Sequence, residues 1–220
     1  MCSTIIKLSI PIEMLTEFDL RDYNRGINMI STITKIKINA LSLFVEKGYT
    51  ATSLSDIAGR VGIKKQSIYS HFKNKEELFL QIMSEVVREE IAFLNDYFDQ
   101  YNSKPLDDIL YNFIIQMEKR FTSNKEDNVK FLLRMMFTPP SPLQEIVINT
   151  ALEYYSELEK HIEQVFIYHE ESIIATAEEA KIAYLAIFDG LLVELVYVNV
   201  TNFKKRFQVT WEIYWRGIKS

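Results

Sequence analysis

Lys64, Lys65, Gln66 and Ser67 stand consecutively, and their side chains carry hydrogen-bonding groups of the kind that read base edges. A lysine ammonium donates to O6 and N7 of guanine, and a glutamine amide bonds both N6 and N7 of adenine. Lys65 and Gln66 suit those two tasks, Ser67 is permissive, and Lys64 can turn to a base or a phosphate. Around them, Thr52, Ser53, Tyr69, His71, Lys73 and Lys75 offer hydroxyl, imidazole and ammonium groups for phosphate oxygens. Such contacts fix register without reading sequence. Thr52 and Ser53 also stand at an expected helix start, where free backbone amides point toward an anion.

This chemistry needs one exposed face, and the apolar spacing supplies it. Ser53 precedes Asp56 by three positions, the capping-box arrangement that starts a helix. Leu54, Ile57, Ala58 and Val61 then recur on one helical face, and Ala58 is small enough to let a second helix cross closely. Gly62 ends the run, since glycine enters the left-handed region at little cost. Ile63 and Ile68 resume the pattern and leave residues 64–67 and Tyr69 mostly outside. Two short helices around a tight turn form a helix-turn-helix, which presents its second helix to the major groove of duplex DNA. The same spacing also fits a helical hairpin with a solvated polar face.

Three motifs together weigh against the plain hairpin: FVEKG at 44–48, TSLSDIAGRVG at 52–62 and IYSHFKNKEEL at 68–78. The segment they span resembles the amino-terminal domain of the TetR family of bacterial transcriptional regulators. The resemblance implies an all-α protein of about nine helices: a three-helix DNA-binding domain followed by a larger helical domain for effector binding and dimerisation. It places Lys65, Gln66, Ser67 and Tyr69 on the face turned to the groove. Two residues depart from the family's pattern, which often has a small polar residue at Lys64 and a glycine at Gln66. Lys64 thereby gives up a side-chain cap for the second helix, and Gln66 adds a reader.

Composition agrees with a helical globule. The chain has 220 residues, 48% hydrophobic, with only six glycines and five prolines, while Leu, Ile, Glu, Lys and Ala dominate long periodic runs. Its one cysteine, Cys2, excludes an intramolecular disulfide framework and supplies no metal cluster, which suits a reducing cytosol. The net charge of −5 divides unevenly. Residues 29–75 hold eight Lys or Arg against two Asp or Glu, a net of +6, whereas residues 76–220 hold fourteen against twenty-four, a net of −10. A basic head on an acidic body orients the encounter with a phosphate backbone.

The domains follow from this division: 1–28 an extension, 29–75 the DNA-binding head, 76–220 the effector and dimerisation body. In the extension, Arg25 and Gly26 can be encoded by a purine-rich run shortly before the codon for Met29. One reading makes Met29 the natural start; the other makes residues 1–28 an arm or extra helix. Helices are expected over 31–47, 53–62, 64–70, 74–98, 106–121, 125–136, 143–168, 175–200 and 203–216, with the clearest breaks at 102–105 and at TPPSP, 138–142. The fourth is the only covalent bridge between head and body.

Residues 182–200 are apolar nearly all round, but Asp189 and Glu194 make a membrane span costly. An interfacial helix fits better. Ala183, Ala186 and Gly190 admit a close helix, and Phe207 and Trp211 add apolar surface on the last one. By the resemblance, these two segments form a homodimer interface; core packing within one chain is the alternative. The resemblance also suggests an effector pocket in the body, near Phe113, Met117, Phe121, Phe131, Met135, Tyr154 and Tyr155. Ring faces and acidic balance there favour a flat apolar or lipophilic cationic ligand. No cofactor, metal or membrane partner is expected. An enzyme is disfavoured because no nucleophile, base and ligand set converges in the sequence. An architectural DNA-binding protein of the same fold, answering to protein partners, stays open.

Overall fold

Nine α-helices make up the described residues, 31–101, 103–123 and 126–220 of a computed structural model. The expectations for residues 1–28 lie outside the described residues. Helix α1 (Thr32–Ala51) starts where the Ser31 hydroxyl accepts from the Thr34 amide, and its helical backbone is interrupted at Gly48, with φ 78°. Helix α2 (Leu54–Val61) has the expected capping box between Ser53 and Asp56, and Gly62 ends it in the left-handed region at φ 79°. Helix α3 (Lys65–Tyr69) follows, with Lys64 at its N-cap and no side-chain cap bond, as the departure at that position implies. Asn74 Oδ1 then accepts from the Glu77 amide and starts α4 (Lys75–Tyr101). At 27 residues α4 is roughly 40 Å long.

The body continues through α5 (Leu106–Thr122), α6 (Asp127–Phe137), α7 (Gln144–Tyr168), α8 (Ala177–Tyr197) and α9 (Val200–Ile218). The chain breaks around Pro105 and again at Pro139 and Pro140, where proline removes a donor. Helix α7 lies along α4, α8 along α7, and α9 along α8. Thr176 and Glu179 close a second capping box at the start of α8.

The apolar core of the head runs on without a break into the body. Ile36, Ala40, Leu43, Ile57 and Ile68 are buried under α1, α2 and α3. The Phe44 ring then meets Phe79 of α4 edge-on at 5.1 Å, and Phe79 meets Phe131 of α6 at 5.4 Å. Arg134 of α6 also donates to the Val45 carbonyl in α1. Head and body are therefore joined covalently by α4 and side by side by α6.

Charge is buried deep in the body. Glu90 of α4, 1% exposed, accepts a two-pronged pair of bonds from Arg120 of α5 at 2.6 and 2.7 Å. Arg120 Nε donates to Glu126 at 2.6 Å, and its guanidinium lies 3.8 Å from the Phe93 ring centre. Burial pushes the Glu90 carboxyl up, and Arg120 opposes that rise. The two acids inside the apolar stretch of α8 are held the same way: Glu194 pairs with Arg206 at 3.0 Å, and Asp189 accepts from the Tyr155 hydroxyl at 2.8 Å. Among the described residues no helix is long and apolar enough to cross a membrane.

Candidate nucleic-acid interface

Ile68 is fully buried and anchors α3, so the residues around it on the same short helix face outward. Lys64, Lys65 and Gln66 are exposed, and Ser67 is half-exposed. The Lys65 ammonium leans over the Tyr69 ring at 5.8 Å, one helical turn away. Tyr69, His71 and Lys73 are exposed alongside. These seven residues belong to one polar segment, α3 with its N-cap and the turn that follows it. Its chemistry matches donors and acceptors on a groove floor flanked by phosphates.

Three residues expected at phosphate have other tasks. Thr52 is 1% exposed; its hydroxyl donates to the Gly48 carbonyl at 2.8 Å and lies 3.2 Å from that of Leu43. It locks the turn between α1 and α2, and the expectation that it meets phosphate is corrected. The Lys75 ammonium donates to the carbonyls of Tyr49 and Thr52 at 2.7 and 2.9 Å and sits 4.1 Å from the Tyr49 ring centre. Burial lowers its pKa. Ser53 remains exposed, but its hydroxyl donates to Asp56 at 2.7 Å, and that carboxylate already supplies the anion at the start of α2. Arg60, not singled out by the sequence reading, makes a paired contact to Glu46 of α1 at 2.7 and 2.8 Å and ties α2 down.

The profile described as "Bacterial regulatory proteins, tetR family" matches residues 39–82, from α1 into α4. The chain is also 34% identical over 139 residues to the "Biofilm operon icaADBC HTH-type negative transcriptional regulator IcaR" of Staphylococcus epidermidis, a match covering 60% of this chain and 70% of that protein. The chain belongs to the TetR family. It is a DNA-binding transcriptional regulator with the helix-turn-helix head and helical body of that family. The IcaR of Staphylococcus aureus strain Newman is 38% identical over 89 residues, 40% of this chain and 48% of that protein. Among solved structures, NalD, the secondary repressor of the MexAB-OprM multidrug efflux pump in Pseudomonas aeruginosa, shares the fold with a TM-score of 0.64 at 20% identity, over 90% of this chain and 98% of that one.

In this TetR-family body, Ala183, Ala186 and Gly190 are exposed along one face of α8, with Ile182, Val193 and Tyr197 beside them. Val209 and Ile213 are exposed on α9. Phe207 is corrected as a surface residue: it is buried in its own chain against Tyr111, at 4.8 Å, and Trp211 is half-buried against the same tyrosine. On α9 the large aromatics turn inward, and Val209 and Ile213 are left on the outer face.

The seven residues expected to line one pocket do not converge. Phe131 packs with Phe44 and Phe79 at the junction with the head, whereas Phe113 packs with Tyr97, Phe98 and Phe188 farther along the body. Met117 is buried core and Phe121 half-buried. Tyr155 bonds Asp189, and the buried Tyr154 hydroxyl has no hydrogen-bond partner. Met135 lines a cleft between Tyr49, Pro139 and Tyr197. The sequence did carry a signal for the charges it missed: Glu90 follows Val86 and Val87 and precedes Leu94 on an apolar stripe, a place where a carboxylate must be paired.

Proposed function

We propose that the protein is a ligand-responsive repressor that binds a palindromic operator as a homodimer and is released by a small molecule. The observation that carries this reading is α3, whose exposed residues 64–66 stand on a helix fixed from beneath by buried Ile68. Lys64, Lys65, Gln66 and Ser67 meet base edges, while Tyr69, His71 and Lys73 meet phosphates. The head is residues 29–75 and the body 76–220. The exposed faces of α8 and α9 join two copies, with Ala183, Ala186 and Gly190 at the closest approach. The names of the relatives support repression, since each IcaR is called a negative regulator and NalD a repressor.

Release requires that the ligand bind two conformations unequally. Helices α4 and α6 both reach the head, so a shift of either alters the separation of paired α3 helices. Half-sites one helical turn apart, or a multiple of it, tolerate little change in that separation. Footprinting on genomic fragments, with sedimentation of the free protein, tests the reading. Two symmetric protected half-sites and a dimer are expected; a strictly monomeric protein bound to many unrelated sites overturns it.

A further inference from the structure

Two helices reach the head, α4 as its covalent bridge and α6 from the side. One residue holds both of them at the end away from it. Arg120, in the last turn of α5, gives Glu90 of α4 a two-pronged pair of bonds at 2.6 and 2.7 Å and spends its Nε on Glu126, the N-cap of α6, at 2.6 Å. Phe93 of α4 lies 3.8 Å from the guanidinium and fixes its plane. Glu90 is fifteen positions past Lys75, roughly 22 Å along α4.

The other end of α6 is fixed to the head itself. Arg134 donates to the Val45 carbonyl of α1, and the Phe131 ring packs against Phe44 of α1 and Phe79 of α4. Helix α6 is therefore a strut, tied through Arg120 to α4 and α5 at its start and to α1 at its end. Two struts joined at both ends hold an angle that one hinge at Lys75 does not. The buried pair adds little to net stability, so what it contributes is the fixed geometry of the joint. Arginine suits this task, because a planar fork holds two carboxylates at set angles, whereas a lysine ammonium is a point charge on a flexible stem. Asn128 of α6 donates to Glu89 of α4 at 2.6 Å, a second and exposed tie at the same level.

We propose that Arg120 is a positioning residue for DNA binding. By tying α4 to the start of α6 it fixes the orientation of the head on the body, and thereby the separation of the two α3 helices in a dimer. The second part rests on the homodimer reading above; the first does not.

The reference protein for the test carries Asn128→Ala, which removes the exposed tie. In it, Glu126→Ala releases α6 from Arg120 and leaves the buried pair with Glu90 in place. Because Glu126 is 43% exposed, that variant folds as the reference does. Glu90→Leu with Arg120→Met removes the joint altogether. Spin labels at Ser55→Cys in α2 and Ser156→Cys in α7, both exposed, with Cys2→Ser and an excess of unlabelled protein, read head against body within one chain by pulsed electron resonance. Expected is one narrow distance in the reference and a distribution about twofold wider in both variants, the mark of a head held at one joint instead of two. One base pair inserted between half-sites should cost the reference about tenfold in affinity and Glu126→Ala about twofold, with affinity for an isolated half-site unchanged. A distance distribution unchanged by Glu126→Ala overturns the proposal, and so does a widened one with the spacing penalty intact. A reference protein indifferent to spacing removes the homodimer reading, and the distances alone then decide the role of Arg120.

Discussion

Head and body handle charge in opposite ways. In the head, Lys64, Lys65 and Lys73 stand exposed on residues anchored by a small apolar underside. In the body, Glu90 and Arg120 are buried and paired with each other, and the buried Glu194 is paired with Arg206 of α9. Exposed lysines cost the fold little and remain available to a polyanion. Buried pairs contribute little net stability, but each ties two particular helices together and becomes costly the moment one member is removed. Lys75 marks the boundary, a head-side lysine tied to backbone carbonyls within its own chain.

The largest expected effect breaks that contrast at its centre. Arg120→Ala leaves Glu90 buried without its partner and should cost roughly 3–5 kcal/mol. The double change Glu90→Leu with Arg120→Met should stay within about 1 kcal/mol of the parent, because it removes both charges together. Urea unfolding at constant slope measures both. If the single change costs no more than the double, the pair is not acting as a buried unit.

How much of this was legible from the sequence depends on the range of the interaction. Ser53 and Asp56 sit three apart, Gly62 acts on its own backbone, and Ile68 follows Ile63 by five, so the head's helices and outward face could be read locally. Thr52 misled because its hydroxyl type binds phosphate freely, and only the fold brings the Tyr49 and Thr52 carbonyls to the Lys75 ammonium. In the body, Glu90 meets Arg120 across thirty positions, a pairing no local period encodes. The outer face of α9 was misjudged for a similar reason. Size pointed to Phe207 and Trp211, but the core nearby had room for them, leaving Val209 and Ile213 outside.

Lys75→Met sharpens the boundary next. Losing two bonds to the carbonyls of Tyr49 and Thr52 should destabilise the protein by about 1–2 kcal/mol, a value discounted for partial exposure. Operator binding should keep its salt slope. Lys73→Ala is the mirror case, with little effect on stability and a salt slope lower by about one. A reduced slope in Lys75→Met would return that residue to the phosphate contacts. Gln66→Ala should relax preference at one base pair of each half-site by about 1–3 kcal/mol and leave the rest of the operator unchanged, as read from a randomised library.

The smallest effect concerns protons. Burial holds both His161 and His169 below the usual histidine value, partly opposed at His161 by Glu157 and Asp99. The unfolded chain therefore takes up a proton before the folded one does, and stability falls as pH drops below about 6.5. Burial of Glu90 and Asp189 works in the other direction, favouring the protonated carboxyl in the folded chain and lowering stability as pH rises above the usual carboxylate range. The absolute profile thus mixes two signs, and the informative quantity is a difference. Between pH 7 and 5.5 the melting temperature of the unaltered protein should fall more steeply than that of His161→Gln. Parallel profiles would mean that His161 is as well solvated in the fold as out of it, and that the body does not hold its ring in the way its stack on Phe98 implies.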